Sequence, residues 1–327
     1  MTLKSATFFQ KQSIFHLLKV LREQIALILL VSLFIAGSLL SEVFLSWNNL
    51  LNIVWAVSVL GIVALGQCVL IIACRFDMSV AYSLGLCGIV MVVFQNIGLT
   101  WYLSIIVGIF VGIIVGLLNG YICVSTGANP FLVTLGTGTL IYSLSLTITR
   151  SKTVYTPFPD FTDIGRGKLF GVIHYSILIF IVLAIILEII LKFTQFGRSL
   201  YVIGISERVG SLSGLNVKQV ILKAFIICGF TAAIGSWIVT SRNGSTVANV
   251  GLGLEFESII AVVLGGTSLF GGSGGALRTV VGVLVIGVLN NLLILLNVTV
   301  EMQQVVKGAI FLTIVWFDTY LRSKVQK

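Results

Sequence analysis

Residues able to do covalent chemistry are few and dispersed in this chain. Its two histidines, His16 and His174, are each isolated from other acid–base residues, so no histidine-based catalytic pair is expected. The five cysteines, Cys68, Cys74, Cys87, Cys123 and Cys228, lie singly within or beside apolar runs, with no CxxC pair. They read as small apolar packing residues, not as metal ligands or disulfide partners. No GxxxxGK[ST] phosphate loop occurs; the nearest run, GRGKLF at Gly165 to Phe170, lacks the first glycine at the right spacing and the hydroxyl after Lys168. No HExxH occurs and no group of intramembrane His and acid residues, which argues against a membrane protease or lipid hydrolase.

The remaining candidates are charges embedded in apolar surroundings, which are costly there and tend to be functional. Asp77, in CRFDMSVAYSLG, is one; Arg75 stands two residues away, so the alternative is a local ion pair at a tight turn. Lys307 lies within an apolar run and could reach toward the interface near Glu301, and Glu188 and Lys192 have the i, i+4 order that favours a helical pair. None of these forms the carboxylate chain of a proton-driven pump. A stand-alone ion-coupled carrier is therefore the weaker expectation.

Composition dictates what must position these groups. Hydrophobic residues make up 57% of the 327 and charged residues 9%, with mean hydropathy +1.12 and three prolines. A soluble domain could not build a polar shell from this, so the apolar surface faces lipid and the chain is an all-α polytopic membrane protein. The net charge of +9 is scattered in short groups and makes no stripe for nucleic acid. The N-terminal MTLKSATFFQKQSIFHLLKVLREQ begins as a signal peptide would, but the apolar run after it is long and has no small-x-small cleavage site; it reads as a retained first helix.

A spanning helix needs about 20 mainly apolar residues. Ten segments approach this, near 25–44, 51–73, 79–97, 100–124, 130–148, 172–192, 222–240, 255–270, 277–296 and 302–320, the eighth being short. With both termini inside, thirteen basic residues fall in inner regions: Lys4, Lys11, Lys19, Arg22, Lys192, Arg198, Arg208, Lys218, Lys223, Arg278, Arg322, Lys324 and Lys327. Five fall outside: Arg150, Lys152, Arg166, Lys168 and Arg242. The excess predicts N-in and C-in, with residues 1–24 a cytoplasmic N-terminus, 195–221 a cytoplasmic loop and the whole of 1–327 one transmembrane domain. Pro157, Pro159, Asp160 and Asp163 fit an ordered outer connection.

The cytoplasmic FGRSLYVIGISERVGSLSGLNVKQV, Phe196 to Val220, has no chemistry of its own, so its use must be contact. Ser206 followed by Glu207 predicts a helix start and Gly214 a stop, giving a short amphipathic helix outside the bilayer. Two stretches are rich in small and hydroxylated residues. AVVLGGTSLFGGSGGALR carries Gly265, Gly266, Thr267 and Ser268, and NPFLVTLGTGTLIYS carries Thr134, Gly136 and Thr137. The first predicts a broken or re-entrant helix beside a cavity and the second has a related texture; both suit a path for a polar solute, with plain small-residue packing the alternative. Pro130 suits a helix's first turn, and Asn290 and Asn291 need polar partners.

TQFGRSLYVIGISERVGSLSGLNV, the run LEFESIIAVVLGGTSLFGGSGGALRTVVGVLVIGVLNNLLILL, and NPFLVTLGTGTL together resemble the ribose-type sugar permeases of bacterial ABC importers, within the branched-chain amino acid/ribose permease superfamily. The resemblance runs from about Asn48 to the C-terminus. It implies a ten-helix-type subunit of the bacterial cytoplasmic membrane that moves solute and performs no covalent chemistry. It also implies the partners: a second permease copy or sister permease, ABC ATPase subunits that hold ATP and magnesium so that this chain needs no cofactor, and an extracytoplasmic solute-binding protein. Phe196, Gly197, Arg198, Leu212, Ser213 and Gly214 match the family's coupling loop, with Ser206 and Glu207 beside them. Asp77, Ser79, Thr134, Gly136, Thr137, Gly265, Gly266, Thr267, Ser268, Asn290 and Asn291 are expected at the pathway or its hinges.

Two departures stand out. Cys74 and Arg75 replace the family's paired glycines before Asp77, which questions the tight turn there, and Arg208 and Val209 replace small residues in the coupling helix. These changes would fit pairing with a sister subunit or a solute other than ribose. The solute is expected to be ribose-like; branched amino acids, nucleosides or a furanosyl signal molecule are the alternatives.

Overall fold

The structure, a computed structural model, describes residues 24–325. The expected N-terminal segment, with Lys4, Lys11, His16, Lys19 and Arg22, lies outside the described residues, as does Lys327. Thirteen helices and four two-residue strands are present among the described residues. The helices are α1 (Gln24–Leu40), α2 (Trp47–Ile72), α3 (Val80–Asn96), α4 (Trp101–Thr126), α5 (Pro130–Thr149), α6 (Pro159–Arg166), α7 (Tyr175–Phe193), α8 (Gln195–Ile205), α9 (Glu207–Leu212), α10 (Val217–Asn243), α11 (Leu254–Leu264), α12 (Ala276–Leu295) and α13 (Val300–Val325). A helix lies at each of the ten apolar segments of the sequence. Six of them (α2, α4, α5, α7, α10 and α12) are long and apolar enough to cross a membrane, and α1 and α3 are shorter apolar helices.

α2 is apolar around its whole circumference, and the rest of the bundle buries most of it: Ile62, Val63, Leu65, Leu70, Ile71 and Ile72 are fully covered. A helix hydrophobic on all sides belongs inside a bundle. α4, α5 and α7 show the opposite, with Ile106, Phe110, Leu132, Leu140, Ile181 and Ile185 exposed on outward faces. Those faces are the apolar surface that a lipid layer covers.

Glycines set the closest crossing. A Cβ built on Gly112 of α4 would sit 2.5 Å from the Gly229 carbonyl oxygen of α10, and one on Gly229 would sit 2.1 Å from that of Gly112. The two backbones touch there, the arrangement that drives helix association where no water is expelled.

Two helices start inside the bundle instead of at its rim. Ser79, which precedes α3, bonds Asn119, seven residues short of the α4 end and so about 10 Å below it. After α10 ends at Gly244, with φ +69°, the chain turns back beside α3. A Cβ on Gly88 would meet Thr246 at 3.0 Å, one on Gly85 the Ala248 carbonyl at 2.7 Å, and one on Gly251 the Ala81 carbonyl at 2.4 Å. Residues 246–251 thus descend two turns of α3 before α11 begins.

The eighth segment is not one helix over 255–270. α11 stops at Leu264, and Gly266, Gly271, Gly272 and Gly274 take φ +94°, +78°, +74° and +148°, conformations that L side chains resist. The expected broken helix is therefore present, with its second part an irregular loop.

At one end of the bundle, β1 (Val154–Tyr155) pairs with β4 (Ser245–Thr246) and β2 (Lys168–Leu169) with β3 (Ile173–His174), so the expected ordered connection is built from α6 and four short strands. The opposite end carries α8 and α9.

Replacing Gly229 by leucine is expected to force α4 and α10 apart and to cost about 1–3 kcal/mol or more. A fall in the thermal transition of the detergent-solubilised chain, with an increased aggregated fraction on size-exclusion chromatography, would show it.

Candidate functional site

Four of the predicted pathway residues meet in one hydrogen-bonded chain. The α3 start leaves backbone N–H groups open in an apolar interior, and Asp77 supplies the acceptor: its Oδ1 receives Ser79 N at 2.8 Å and Ser79 Oγ at 2.6 Å. Asn119 Nδ2 donates to Ser79 Oγ at 2.8 Å, and Thr137 Oγ1 donates to Asn119 Oδ1 at 2.7 Å. Gln67, fully buried on α2, donates to the Asp77 carbonyl at 2.8 Å and accepts from Asp77 N at 3.3 Å. Thr134 Oγ1 accepts Met78 N at 2.9 Å. The network joins α2, α3, α4 and α5. Gly136, between the two threonines, faces open space.

Asp77 does not pair with Arg75. Arg75 reaches Glu207 at the start of α9 instead, because the turn points the two side chains to opposite sides. The glycine-like turn survives the loss of glycine: Cys74 adopts φ +59°, and the Arg75 N–H closes the end of α2 on the Leu70 carbonyl. Lys307 does not extend to Glu301. It pairs with Glu257 of α11 at 2.6 Å, a nearer counter-charge that avoids leaving either ion alone among apolar groups. Glu188 and Lys192 pair at 2.7 Å as their spacing predicts, and Glu188 also accepts the Leu277 N–H at 3.0 Å.

At the α9 end, the predicted short helix is α9, with Ser206 Oγ accepting Val209 N at 3.4 Å and Gly214 at φ +77° just beyond it. α8 was not expected. Its signal is Thr194, whose Oγ1 accepts Gly197 N at 3.1 Å as a helix cap. Gly197 packs within 2.2 Å, as a Cβ would measure it, of the Leu191 carbonyl, while Arg198 is exposed and Phe196 half-buried. Ile205, Val209 and Leu212 stand exposed, Leu212 at 81%. The Gly265–Gly275 loop is wedged between α8 and α2: Gly272 N donates to the Ile72 carbonyl at 2.9 Å and Tyr201 Oη to the Gly274 carbonyl at 3.0 Å. Burial pushes the Tyr201 phenol up to about 12, so it stays a donor. A cavity of about 620 Å³ opens here, lined by Arg75, Glu207, Lys218, Ser211, Asn129 and Cys123 among others.

The remaining predicted residues are not gathered with Asp77. Thr267 and Ser268 are buried in the glycine loop, Thr267 beside Cys68. Gly265 packs on the Arg278 carbonyl, and Gly266 supplies the positive φ described above. Asn291 exchanges amide hydrogen bonds with Asn49 at 3.0 and 2.8 Å, tying α12 to the start of α2, and Asn290 Oδ1 is buried without a partner among the described residues. Gly271 to Gly275 matches G-x-S-x-G spacing through glycine content alone. His174 does not serve Ser273: it stacks on Trp55 at 4.7 Å, the ring over which Arg242 also lies. No cluster of three metal-ligating side chains occurs among the described residues.

Residues 49–315 match the family described as branched-chain amino acid transport system / permease component. The chain belongs to that family. It is 35% identical to the ribose import permease protein RbsC of Haemophilus influenzae, over 95% of this chain and 97% of the relative. It is 37% identical to RbsC of Bacillus subtilis, over 88% and 89%, and 33% identical to the D-allose transport system permease protein AlsC of Escherichia coli, over 89% of each chain. No solved structure matches.

Asn119→Ala would remove the donor to Ser79 Oγ and the acceptor of Thr137 Oγ1, leaving those hydroxyls only Asp77 and the Thr134 carbonyl, and is expected to cost about 1–3 kcal/mol. The check is a lowered thermal transition in detergent, with a smaller loss in Thr137→Ser, which keeps the donor.

Proposed function

We propose that this chain is the transmembrane subunit of an ATP-driven importer that carries a sugar across the bacterial cytoplasmic membrane. The observation that carries this is near full-length similarity to permeases named for ribose and D-allose, and to the L-arabinose permease AraH of Escherichia coli at 33% identity. In this reading the ten apolar helices cross or enter the bilayer with both termini inside, the α8–α9 end is cytoplasmic, and the strand end faces outward. The transport work falls to a separate ATPase that holds ATP and magnesium, and solute arrives from an extracytoplasmic binding protein. A second copy, or a sister permease, completes the pore.

The coupling surface is assigned to Phe196, Gly197, Arg198, Ser206, Glu207 and Leu212 to Gly214. Exposure of Ile205, Val209 and Leu212 supports it, because a large apolar patch beside charged residues suits a protein partner. The Arg75–Glu207 pair then ties α9 to the loop that carries Asp77. Movement of α9 reaches the α2–α5 network through that loop, which gives alternating access a physical route. The pathway or its hinges are assigned to Asp77, Ser79, Thr134, Gly136, Thr137, Gly265 to Ser268, Asn290 and Asn291. The family's description favours one second reading, a branched amino acid as solute.

In proteoliposomes holding the permease with its ATPase and receptor, ATP-dependent uptake of labelled ribose, allose or arabinose is expected, unaffected by an uncoupler. Uptake of leucine alone would select the second reading, and transport without the ATPase would refute both. Arg198→Ala and Leu212→Asp are each expected to abolish uptake and receptor-stimulated ATP hydrolysis while leaving insertion intact; survival of uptake in both sinks the coupling assignment. Glu207→Arg is expected to impair uptake and Arg75→Glu/Glu207→Arg together to recover it. Cysteine labelling that put residues 196–220 outside would overturn the topology.

A further inference from the structure

Where α3 packs on α5, two tyrosines sit side by side well inside the bundle. Tyr82 is in the first turn of α3 and Tyr142 is three turns into α5, about 18 Å from its first residue. Their ring centroids are 5.8 Å apart with the planes tilted by 59°. One edge of the Tyr82 ring rests against Gly138, where a Cβ would come within 2.7 Å of it. Both side chains are half-buried, and neither phenol has a hydrogen-bond partner among the described residues. A phenol at this depth in an apolar layer is expected to find a polar partner or water.

Polar groups collect beside the pair. Glu255, 6% exposed in the first turn of α11, follows four residues after Gly251, which packs on the Ala81 carbonyl beside Tyr82. Its Oε2 accepts Gly253 N at 2.9 Å, and no lysine or arginine of the described residues pairs with it. Asn249 is exposed on the descending segment, at the height of Tyr82 along α3, since its neighbours Ala248 and Gly251 touch Gly85 and Ala81. Next to Tyr142, Ser143 is exposed on α5 and its hydroxyl only back-bonds to the Thr139 carbonyl. The pair therefore offers apolar rings with a carboxylate, an amide and a hydroxyl nearby, at the point where two helices begin inside the bundle. Sugars present apolar C–H faces and a rim of hydroxyls, and intramembrane helix starts are where transporters hold polar solutes.

From this juxtaposition we infer that Tyr82 and Tyr142, with Glu255, Asn249 and Ser143, form a transient binding site for a small neutral polyol, a pentose or hexose, midway along the translocation path. The site rests on the sugar-importer reading. Rings stack on the C–H face of the solute, and Glu255 and the phenols bond its hydroxyls.

The test uses the complete importer in proteoliposomes with labelled ribose, allose and arabinose, each added with saturating receptor. Tyr82→Phe and Tyr142→Phe, which keep the rings, are expected to lower the maximal uptake rate roughly threefold to tenfold. Tyr142→Ala and Glu255→Gln are expected to lower it by more than about tenfold and to change the order of preference among the three sugars. Receptor-stimulated ATP hydrolysis is expected to stay near the wild-type rate throughout. If the wild type carries none of the three sugars, the functional reading and this site fall together. If it carries one and all four variants keep its rate and its preference order, the site alone falls. Loss of uptake with equal loss of stimulated hydrolysis in the phenylalanine variants would make the tyrosines structural and also overturn the site.

Discussion

A helix that begins inside an apolar layer must find acceptors for the N–H groups its first turn leaves open, since no water can serve them there. Two helices of this protein begin that way, and each has a carboxylate at its start. Asp77 closes the opening of α3 through Ser79, and Glu255 closes that of α11 through Gly253. Interrupting a helix this way lets polar groups reach the interior while lipid meets only side-chain hydrocarbon. The hydroxyl and amide chain from Gln67 to Thr137 grows from the first of these points, and the tyrosine pair stands between the two.

The two irregular segments are supported differently. The loop before α3 is held by side chains from α2, α4 and α5, so its geometry follows any change in how those helices pack. The loop after α11 is held mainly by backbone contact: Gly265 lies against the Arg278 carbonyl, Gly271 against that of Gly204, and Gly272 N donates to that of Ile72. A segment fixed by glycine contacts tolerates little displacement.

Much of the architecture could be read from residue order, because a helix in lipid needs a long apolar run, and a helix lies at each such run here. The short helix from Glu207 was legible through Ser206 and Gly214, and the interruption after Leu264 through its glycines. α8 was hidden because apolar Leu200, Val202 and Ile203 look like loop residues with no spanning length to flag them. Partners distant in sequence were not legible: Arg75 and Asp77 are two residues apart yet serve different neighbours, and Lys307 finds Glu257 across fifty positions, since tertiary packing decides which charge is near. The gathering of Asp77, Ser79, Asn119 and Thr137 needed coordinates too. Asn119 carries no signal in its flanking residues, and the tyrosines look like ordinary membrane aromatics until α3 and α5 are laid together.

The ladder between β1 and β4 is only two residues long, yet it fastens the long α5–α7 connection to the top of α10, and the Ser241 hydroxyl reinforces it by accepting the Gly165 N–H at 2.8 Å. That face is thereby a stiff collar and not a set of free flaps. Any displacement of α10 at that end therefore carries the α5–α7 connection with it, and the rim moves as one piece.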